Sequence, residues 1–131
     1  MTHITRDRTD NELTVIKKNF LTLVNILQKL EIDFIIDGGL LLGIIREGDI
    51  IKWDWDIEFS FYEHILMNNM EKILKETNKN GFSIHKLDKK NAKLEFYKEL
   101  PYEVFSFTFR GWKHNKKKKC FERKEFRVPD K

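Results

Sequence analysis

Three acidic side chains alternate with apolar ones in the stretch KWDWDIEFSF, residues 52–61. Successive side chains of a β-strand point to opposite faces, so Asp54, Asp56 and Glu58 would share one face and the apolar residues the other. Carboxylate oxygens are the ligands that Mg²⁺ and Mn²⁺ prefer, and two ions about 4 Å apart can stabilise a phosphoryl displacement. The alternative is a solvated sheet face, which in water tolerates the repulsion between like charges.

A second candidate site lies just upstream, where Asp37-Gly38-Gly39 ends a short apolar run and precedes a predicted short helix, residues 40–46. Glycine lets the backbone approach a ligand, and a helix N-terminus offers unpaired N–H groups to phosphate oxygens. Gly38 and Gly39 are therefore candidate phosphate-binding residues, with an ordinary tight turn as the alternative. Arg46 could grip a phosphate through two parallel hydrogen bonds or form a surface salt bridge.

Hydrophobic periodicity and turn residues predict the elements that position these side chains. Apolar residues spaced by three and four predict helices over residues 11–30, capped by Thr9 or Asp10, and over residues 65–77, ended by Asn80 and Gly81. Strands are predicted over residues 33–37, 52–61, 82–87, 92–97, 102–109 and 125–128. The predicted fold class is α+β, a mixed or antiparallel sheet of about five strands with helices packed on one face.

Length and composition indicate one small soluble domain over residues 1–131. The single cysteine, Cys120, allows no internal disulfide, and the polar N-terminus lacks the apolar core of a signal peptide, so a cytoplasmic location is expected. The longest apolar region, residues 34–45, is shorter than a membrane span requires.

The formal charge of +4 owes much to a predicted basic loop over residues 113–124, which contains four consecutive lysines. Such a run could contact an anionic polymer, but no RNA-binding or helix-turn-helix motif accompanies it, so nucleic acid is not an expected partner. His64 and His85 have no Cys or His neighbours at zinc-ligand spacing, and no Ser/His/Asp grouping points to nucleophilic hydrolysis.

The order of these features resembles the motifs of the nucleotidyltransferase superfamily: two glycines, a short helix, and then a strand with the pattern Asp-x-Asp/Glu. The strings GLLLGIIR, residues 39–46, and GDIIKWDWDIE, residues 48–58, are similar to those of the LicD and fukutin family of phosphotransferases. In that family a Gly-Thr-Leu-Leu-Gly-x-x-Arg segment precedes an Ile-Pro-Trp-Asp-x-Asp-Ile-Asp segment. The chain departs from this pattern at Leu40, Lys52 and Glu58, and the family's C-terminal helical part is not recognised in it.

The resemblance implies a nucleotidyltransferase-like fold and a phosphotransferase that uses Mg²⁺ or Mn²⁺. Such an enzyme would move a phospho-substituent, for example phosphocholine, from a CDP-linked donor to a sugar hydroxyl of a glycan. Asp54, Asp56 and Glu58 would bind the metal, Asp56 and Glu58 together with Glu103 would be catalytic, and Glu95 is the second candidate for the role of Glu103.

Two other functions remain open at this point. A nucleotidyltransferase would instead move NMP from an NTP donor to a small molecule, a protein or RNA. A catalytically inactive remnant would bind nucleotide without turnover, and Leu40 favours this function because it replaces a residue expected to contact phosphate. The sequence identifies neither the donor, nor the acceptor, nor the oligomeric state.

Overall fold

The computed structural model describes residues 9–36, 56–102, 105–115, 120–122 and 127–129. Within these ranges the chain forms three helices and seven strands. They are α1 (Asp10–Lys29), β1 (Ile35–Ile36), β2 (Asp56–Tyr62), α2 (Glu63–Asn68), α3 (Met70–Lys79), β3 (Ser83–Asp88), β4 (Lys93–Tyr97), β5 (Ser106–Asn115), β6 (Cys120–Glu122) and β7 (Arg127–Pro129). The predicted α+β class is confirmed.

Five strands form the body of the sheet in the order β1-β2-β5-β4-β3, and β6 and β7 extend it from the end of β5. The β2–β5 pair is parallel, whereas β1–β2, β5–β4 and β4–β3 are antiparallel. The sheet is therefore mixed, as predicted. The acidic strand β2 lies inside it, between β1 and the much later strand β5.

Helix α1 begins with a capping box. The Glu12 backbone N–H donates to the Thr9 hydroxyl oxygen at 3.2 Å, and the Thr9 backbone N–H donates to Glu12 Oε1 at 2.8 Å. Both bonds satisfy N–H groups that the first helical turn leaves unpaired. On the apolar stripe of this helix, Ile16, Leu23 and Leu27 are fully buried.

A cluster of phenylalanine rings joins the sheet to α1. Phe109 on β5 contacts Phe59 on β2 and Phe96 on β4, with ring centroids 5.1 and 5.0 Å apart. Phe20 on α1 packs against Phe59 at 5.7 Å. These tilted and edge-on contacts fill the space between helix and sheet. The core thus lies on one face of the sheet.

The second predicted helix is two helices in the structure. The helix is interrupted at Asn69, whose backbone has φ −108° and ψ 7°. The Asn69 side-chain amide donates to the Ile65 carbonyl oxygen at 2.8 Å. The Asn69 backbone N–H also donates to the Ile65 carbonyl oxygen, at 3.2 Å, so side chain and backbone share this acceptor at the end of α2. The periodicity prediction missed the break because Leu66, Met70 and Ile73 are buried on both sides of it.

Strand β5 is longer than predicted and continues past Gly111 to Asn115. Its last residues pair with β6, so part of the predicted basic loop over residues 113–124 is strand. The pairing of β5 with β6 is antiparallel, and residues 116–119 between the two strands lie outside the described residues. The short helix predicted over residues 40–46 lies outside them as well.

Candidate functional site

The side of the sheet away from the core carries polar side chains, and we call it the polar face. On β2, Ile57 and Phe59 are buried in the core, while Glu58 and Ser60, which alternate with them, are partly exposed on the opposite face, as the alternation in the sequence predicts. The same alternation applies along β5 and β4. The described residues of the polar face are Glu58, Ser60, Ser106, Thr108, Arg110, Trp112, Lys93, Glu95 and Tyr97.

Strand register arranges this face in rows. Thr108 on β5 pairs with Glu58 on β2 and with Glu95 on β4, so the three residues form one row across three strands. Since neighbouring strands lie about 4.8 Å apart, the two glutamates are separated by roughly 10 Å. The two carboxylates thus share a face without being immediate neighbours.

Glu58 is paired with Arg110, which the sequence motifs do not indicate as a site residue. Arg110 Nε lies 2.7 Å from Glu58 Oε1, and the two side chains are only 12% and 17% exposed. The N–H is not aligned for a hydrogen bond despite the short distance, so the contact is a close ion pair. The negative charge of Glu58 is therefore balanced by the neighbouring strand.

Two further contacts organise the same face. Lys93 Nζ lies 3.7 Å from Glu95 Oε1, so the second carboxylate of the row also has a cationic neighbour. The indole Nε1–H of Trp112 donates to Ser60 Oγ at 3.2 Å. The face consequently combines carboxylates, cationic side chains and hydroxyl groups. These groups are partly buried, so their charges interact more strongly than in water.

The structure tests the location of only some of the predicted site residues. Asp56 begins β2 opposite Ser106, and only its backbone is described. Glu58 and Glu95 lie on the polar face. The other predicted residues lie outside the described residues, namely Gly38, Gly39, Arg46, Asp54 and Glu103.

The described residues contain no group of three or more His, Cys, Asp or Glu side chains arranged to hold a metal. Of the four predicted carboxylates, Asp54, Asp56, Glu58 and Glu103, only Glu58 has a described side chain. The metal prediction therefore stays a prediction. His64 stacks on Tyr62 and His85 on Tyr102, with ring centroids 6.1 and 3.7 Å apart.

Arg110 could have been found from the sequence. In the stretch SFTFR, residues 106–110, phenylalanines alternate with polar residues. Apolar and acidic residues alternate in the same way in the acidic stretch, residues 52–61. This pattern places the arginine on the face of the sheet opposite the phenylalanines. What the pattern does not contain is the parallel pairing of β5 with β2, which brings Arg110 beside Glu58.

No helix in the described parts of the chain is both long enough and apolar enough to cross a bilayer.

Two kinds of comparison place the chain among known proteins. In sequence, it is 34% identical over 50 residues to the mouse (Mus musculus) and human (Homo sapiens) ribitol 5-phosphate transferase FKRP. The alignment spans 38% of this chain and 10% of each relative. In structure, it resembles the lincomycin-bound crystal structure of the lincosamide antibiotic adenylyltransferase LnuA, with a TM-score of 0.55 and 14% identity, over 88% of this chain and 63% of that chain. The latter likeness shows a nucleotidyltransferase fold.

A family model for the LicD/FKTN/FKRP nucleotidyltransferase domain matches residues 31–131. The match includes Gly38 and Gly39, the acidic stretch, and all seven described strands. It also includes every residue of the polar face described above. The chain therefore belongs to the LicD/FKTN/FKRP nucleotidyltransferase domain family.

Proposed function

We propose that the protein is a metal-dependent phosphotransferase that moves a phospho-substituent from a CDP-linked donor to a sugar hydroxyl of a glycan. The family match over residues 31–131 carries this proposal, because it covers the acidic stretch where the metal ligands are expected. The mouse and human relatives are named as transferases of ribitol 5-phosphate, which supports a polyol phosphate as the transferred group, with phosphocholine as the other candidate.

In this reaction an oxygen of the acceptor hydroxyl attacks the phosphorus that bears the substituent. The bond from that phosphorus to the bridging oxygen of the diphosphate breaks, and CMP leaves. The hydroxyl proton passes to a carboxylate acting as general base. The two products are therefore the acceptor joined to the substituent through a phosphodiester, and CMP, and CMP release reports the transfer.

The residues on β2 fit a site for Mg²⁺ or Mn²⁺. Asp56 and Glu58 are two positions apart on one strand, and Glu58 presents a half-buried carboxylate on the polar face. Both residues supply the hard oxygen ligands that these cations prefer, and Asp54 would be an auxiliary ligand. The cation would neutralise negative charge on the donor phosphates.

The general base is proposed to be Glu103, with Glu95 as the second candidate. Glu103 is three residues before Ser106, which pairs with Asp56 at the start of β2. Glu95 lies on the polar face in the row of Glu58, but Lys93 already neutralises it and two strand spacings separate the glutamates. These features favour Glu103 for a role next to the metal ligands.

A nucleotidyltransferase acting on an NTP is the second candidate, since the structural relative LnuA is an adenylyltransferase. The two reactions release different products: NMP transfer from an NTP yields pyrophosphate, whereas phospho-substituent transfer from a CDP-alcohol yields CMP. A third outcome, nucleotide binding without either product, would identify an inactive nucleotide-binding protein.

The test combines binding and turnover with the full chain. Mn²⁺ is titrated by electron paramagnetic resonance with and without CDP-choline or CDP-ribitol, and CMP and pyrophosphate are measured with CDP-alcohols, CTP and ATP. Loss of a residue that only hydrogen-bonds to a metal ligand typically weakens metal binding about 10- to 100-fold. Because Glu58 is proposed to bind the metal directly, Glu58→Gln should weaken Mn²⁺ binding by more than this. Glu71→Gln, an exposed acid on α3, is the matched control and should bind as the wild type does.

Undiminished Mn²⁺ binding in Glu58→Gln would remove this residue from the proposed metal site. Absence of Mn²⁺ and CDP-alcohol binding by the wild type would overturn the proposed function itself. Pyrophosphate from ATP or CTP, without CMP from CDP-alcohols, would establish the nucleotidyltransferase instead.

A further inference from the structure

We propose that Arg110 is an exchangeable counterion of the metal site. It would balance Glu58 when no cation is bound, and would transfer to a phosphate oxygen of the donor when the cation takes its place. This inference rests on the proposed function and makes Arg110 a substrate-binding residue that the sequence motifs did not indicate. Its ligand would be the diphosphate of a nucleotide-linked donor.

The first argument is the cost of an unbalanced charge on a half-buried surface. Glu58 is 17% exposed and Arg110 12% exposed, so solvent stabilises either charge only in part. Loss of the Glu58 carboxylate would remove the anion that Arg110 contacts on this largely buried surface, which is destabilising. A divalent cation bound to Glu58 would instead place excess positive charge beside the Arg110 guanidinium and repel it.

The second argument is the geometry of the pair. Arg110 Nε is at contact distance from Glu58 Oε1, but its N–H is not aligned with an acceptor. An aligned, charge-assisted pair would be held more firmly. Moving the guanidinium from Glu58 to another anion should therefore cost less free energy than breaking a bidentate pair would. Its planar fork of N–H groups suits phosphate oxygens.

The third argument is the charge balance of the row. On the described part of the polar face, Glu58 lies beside Arg110 and Glu95 beside Lys93, so each of these acids has a cationic neighbour. A divalent cation on Glu58 would add positive charge beside these two pairs, and the diphosphate of the donor would offset that charge. Cation and donor should consequently bind cooperatively, each increasing the affinity for the other.

The experiment is a binding cycle on the full chain. Mn²⁺ affinity is measured by electron paramagnetic resonance, alone and with saturating CDP-choline, for the wild type, Arg110→Met and Arg110→Lys. Lys113→Met, which removes an exposed cation farther along the same strand, is the matched control. Circular dichroism checks that each variant is folded.

In Arg110→Met, Mn²⁺ alone should bind roughly tenfold more tightly, because it no longer competes with the guanidinium, and CDP-choline should no longer enhance Mn²⁺ binding, a change within the usual range for coupled sites. Arg110→Lys should keep weak Mn²⁺ binding and lose part of the enhancement, since lysine retains the charge without the fork. Lys113→Met should match the wild type. If Arg110→Met does not fold, the reduced enhancement in Arg110→Lys still tests the proposal.

Unchanged Mn²⁺ binding and unchanged enhancement in the Arg110 variants would show an ordinary ion pair and overturn the inference while the proposed function stands. Weaker binding of Mn²⁺ alone in Arg110→Met would also overturn it, because Arg110 would then support the site and not compete for it. Wild-type protein that binds neither Mn²⁺ nor CDP-choline would overturn both the inference and the proposed function.

Discussion

Replacing Gly111 with alanine should destabilise the fold by about 1–3 kcal/mol, the cost of forcing an extra methyl group into a packed site. Gly111 is buried on β5, immediately after Arg110. A Cβ at this position would lie 2.8 Å from Ala92 Cβ and 3.0 Å from Glu63 Cα. Neither neighbour is the end of a flexible side chain. The Gly111 N–H also donates to the Ala92 carbonyl oxygen at 2.8 Å, which holds the two backbones together.

A second substitution should rescue the first in part. Ala92 is buried and has a φ of 49°, a left-handed conformation that glycine adopts more readily. Ala92→Gly loses one methyl group, at about 0.8 kcal/mol, and relieves a left-handed backbone worth about 1 kcal/mol, so alone it should be nearly neutral. Combined with Gly111→Ala it removes the nearest clash. The favourable coupling should be about 0.5–3 kcal/mol, and incomplete because Glu63 Cα remains.

Urea unfolding followed by tryptophan fluorescence measures these effects, with equal m-values confirming that compactness is unchanged. Gly81→Ala is the matched control, because its cost arises from a φ of 86° and its nearest neighbour is the flexible Lys98 side chain. Ala92→Gly should not rescue it. Wild-type stability in Gly111→Ala, or additivity of Gly111→Ala and Ala92→Gly, would refute the packing described for β5.

Three further predictions concern the row, a turn and the core. Glu95→Gln should weaken Mn²⁺ binding by less than about tenfold, since Glu95 is roughly 10 Å from Glu58; a larger loss than in Glu58→Gln, measured by the same titration, would make Glu95 a metal ligand. Hydrogen bonds from the side chain and backbone of Asn91 hold the pKa of Asp88 below its ordinary value. The ionised carboxylate therefore favours folding above about pH 4, and this contribution is lost as the pH falls through the lowered pKa. The stability lost in Asn91→Ala should thus shrink in acid, and urea midpoints that differ equally at pH 7 and pH 3 would contradict this. Phe109→Ala should cost about 3–5 kcal/mol, because its fully buried ring contacts three others; a loss under about 1 kcal/mol in urea unfolding would show that the core collapses around the vacancy.

Much of the fold follows from local pattern. The three- and four-residue spacing from Leu13 onward predicted α1 and limited its cap to Thr9 or Asp10, of which the structure has Thr9. Alternation predicted that Glu58 faces away from Ile57 and Phe59, because the direction of a side chain on a strand depends only on its position. These features are set by residues a few positions apart.

The remaining features depend on contacts between distant parts of the chain. Gly111 suggests a strand end, yet β5 continues through it because pairing with β2 and packing against Ala92 favour a residue without a side chain there. The ion pair of Glu58 with Arg110 exists only because β2 and β5 are parallel neighbours. Periodicity contains no information about which strands pair or in which direction.

The parallel pairing of β2 with β5 also has a consequence for folding during synthesis. Asp56 pairs with Ser106, which is synthesised 50 residues later. Until β5 has emerged from the ribosome, one edge of β2 therefore stays unpaired. Pairing between segments far apart in sequence forms slowly because a long loop must first be closed. An unpaired strand edge invites association with other chains, and charged side chains on it oppose that association. The carboxylates of the acidic stretch would therefore protect the nascent chain from aggregation before Arg110 arrives to neutralise Glu58.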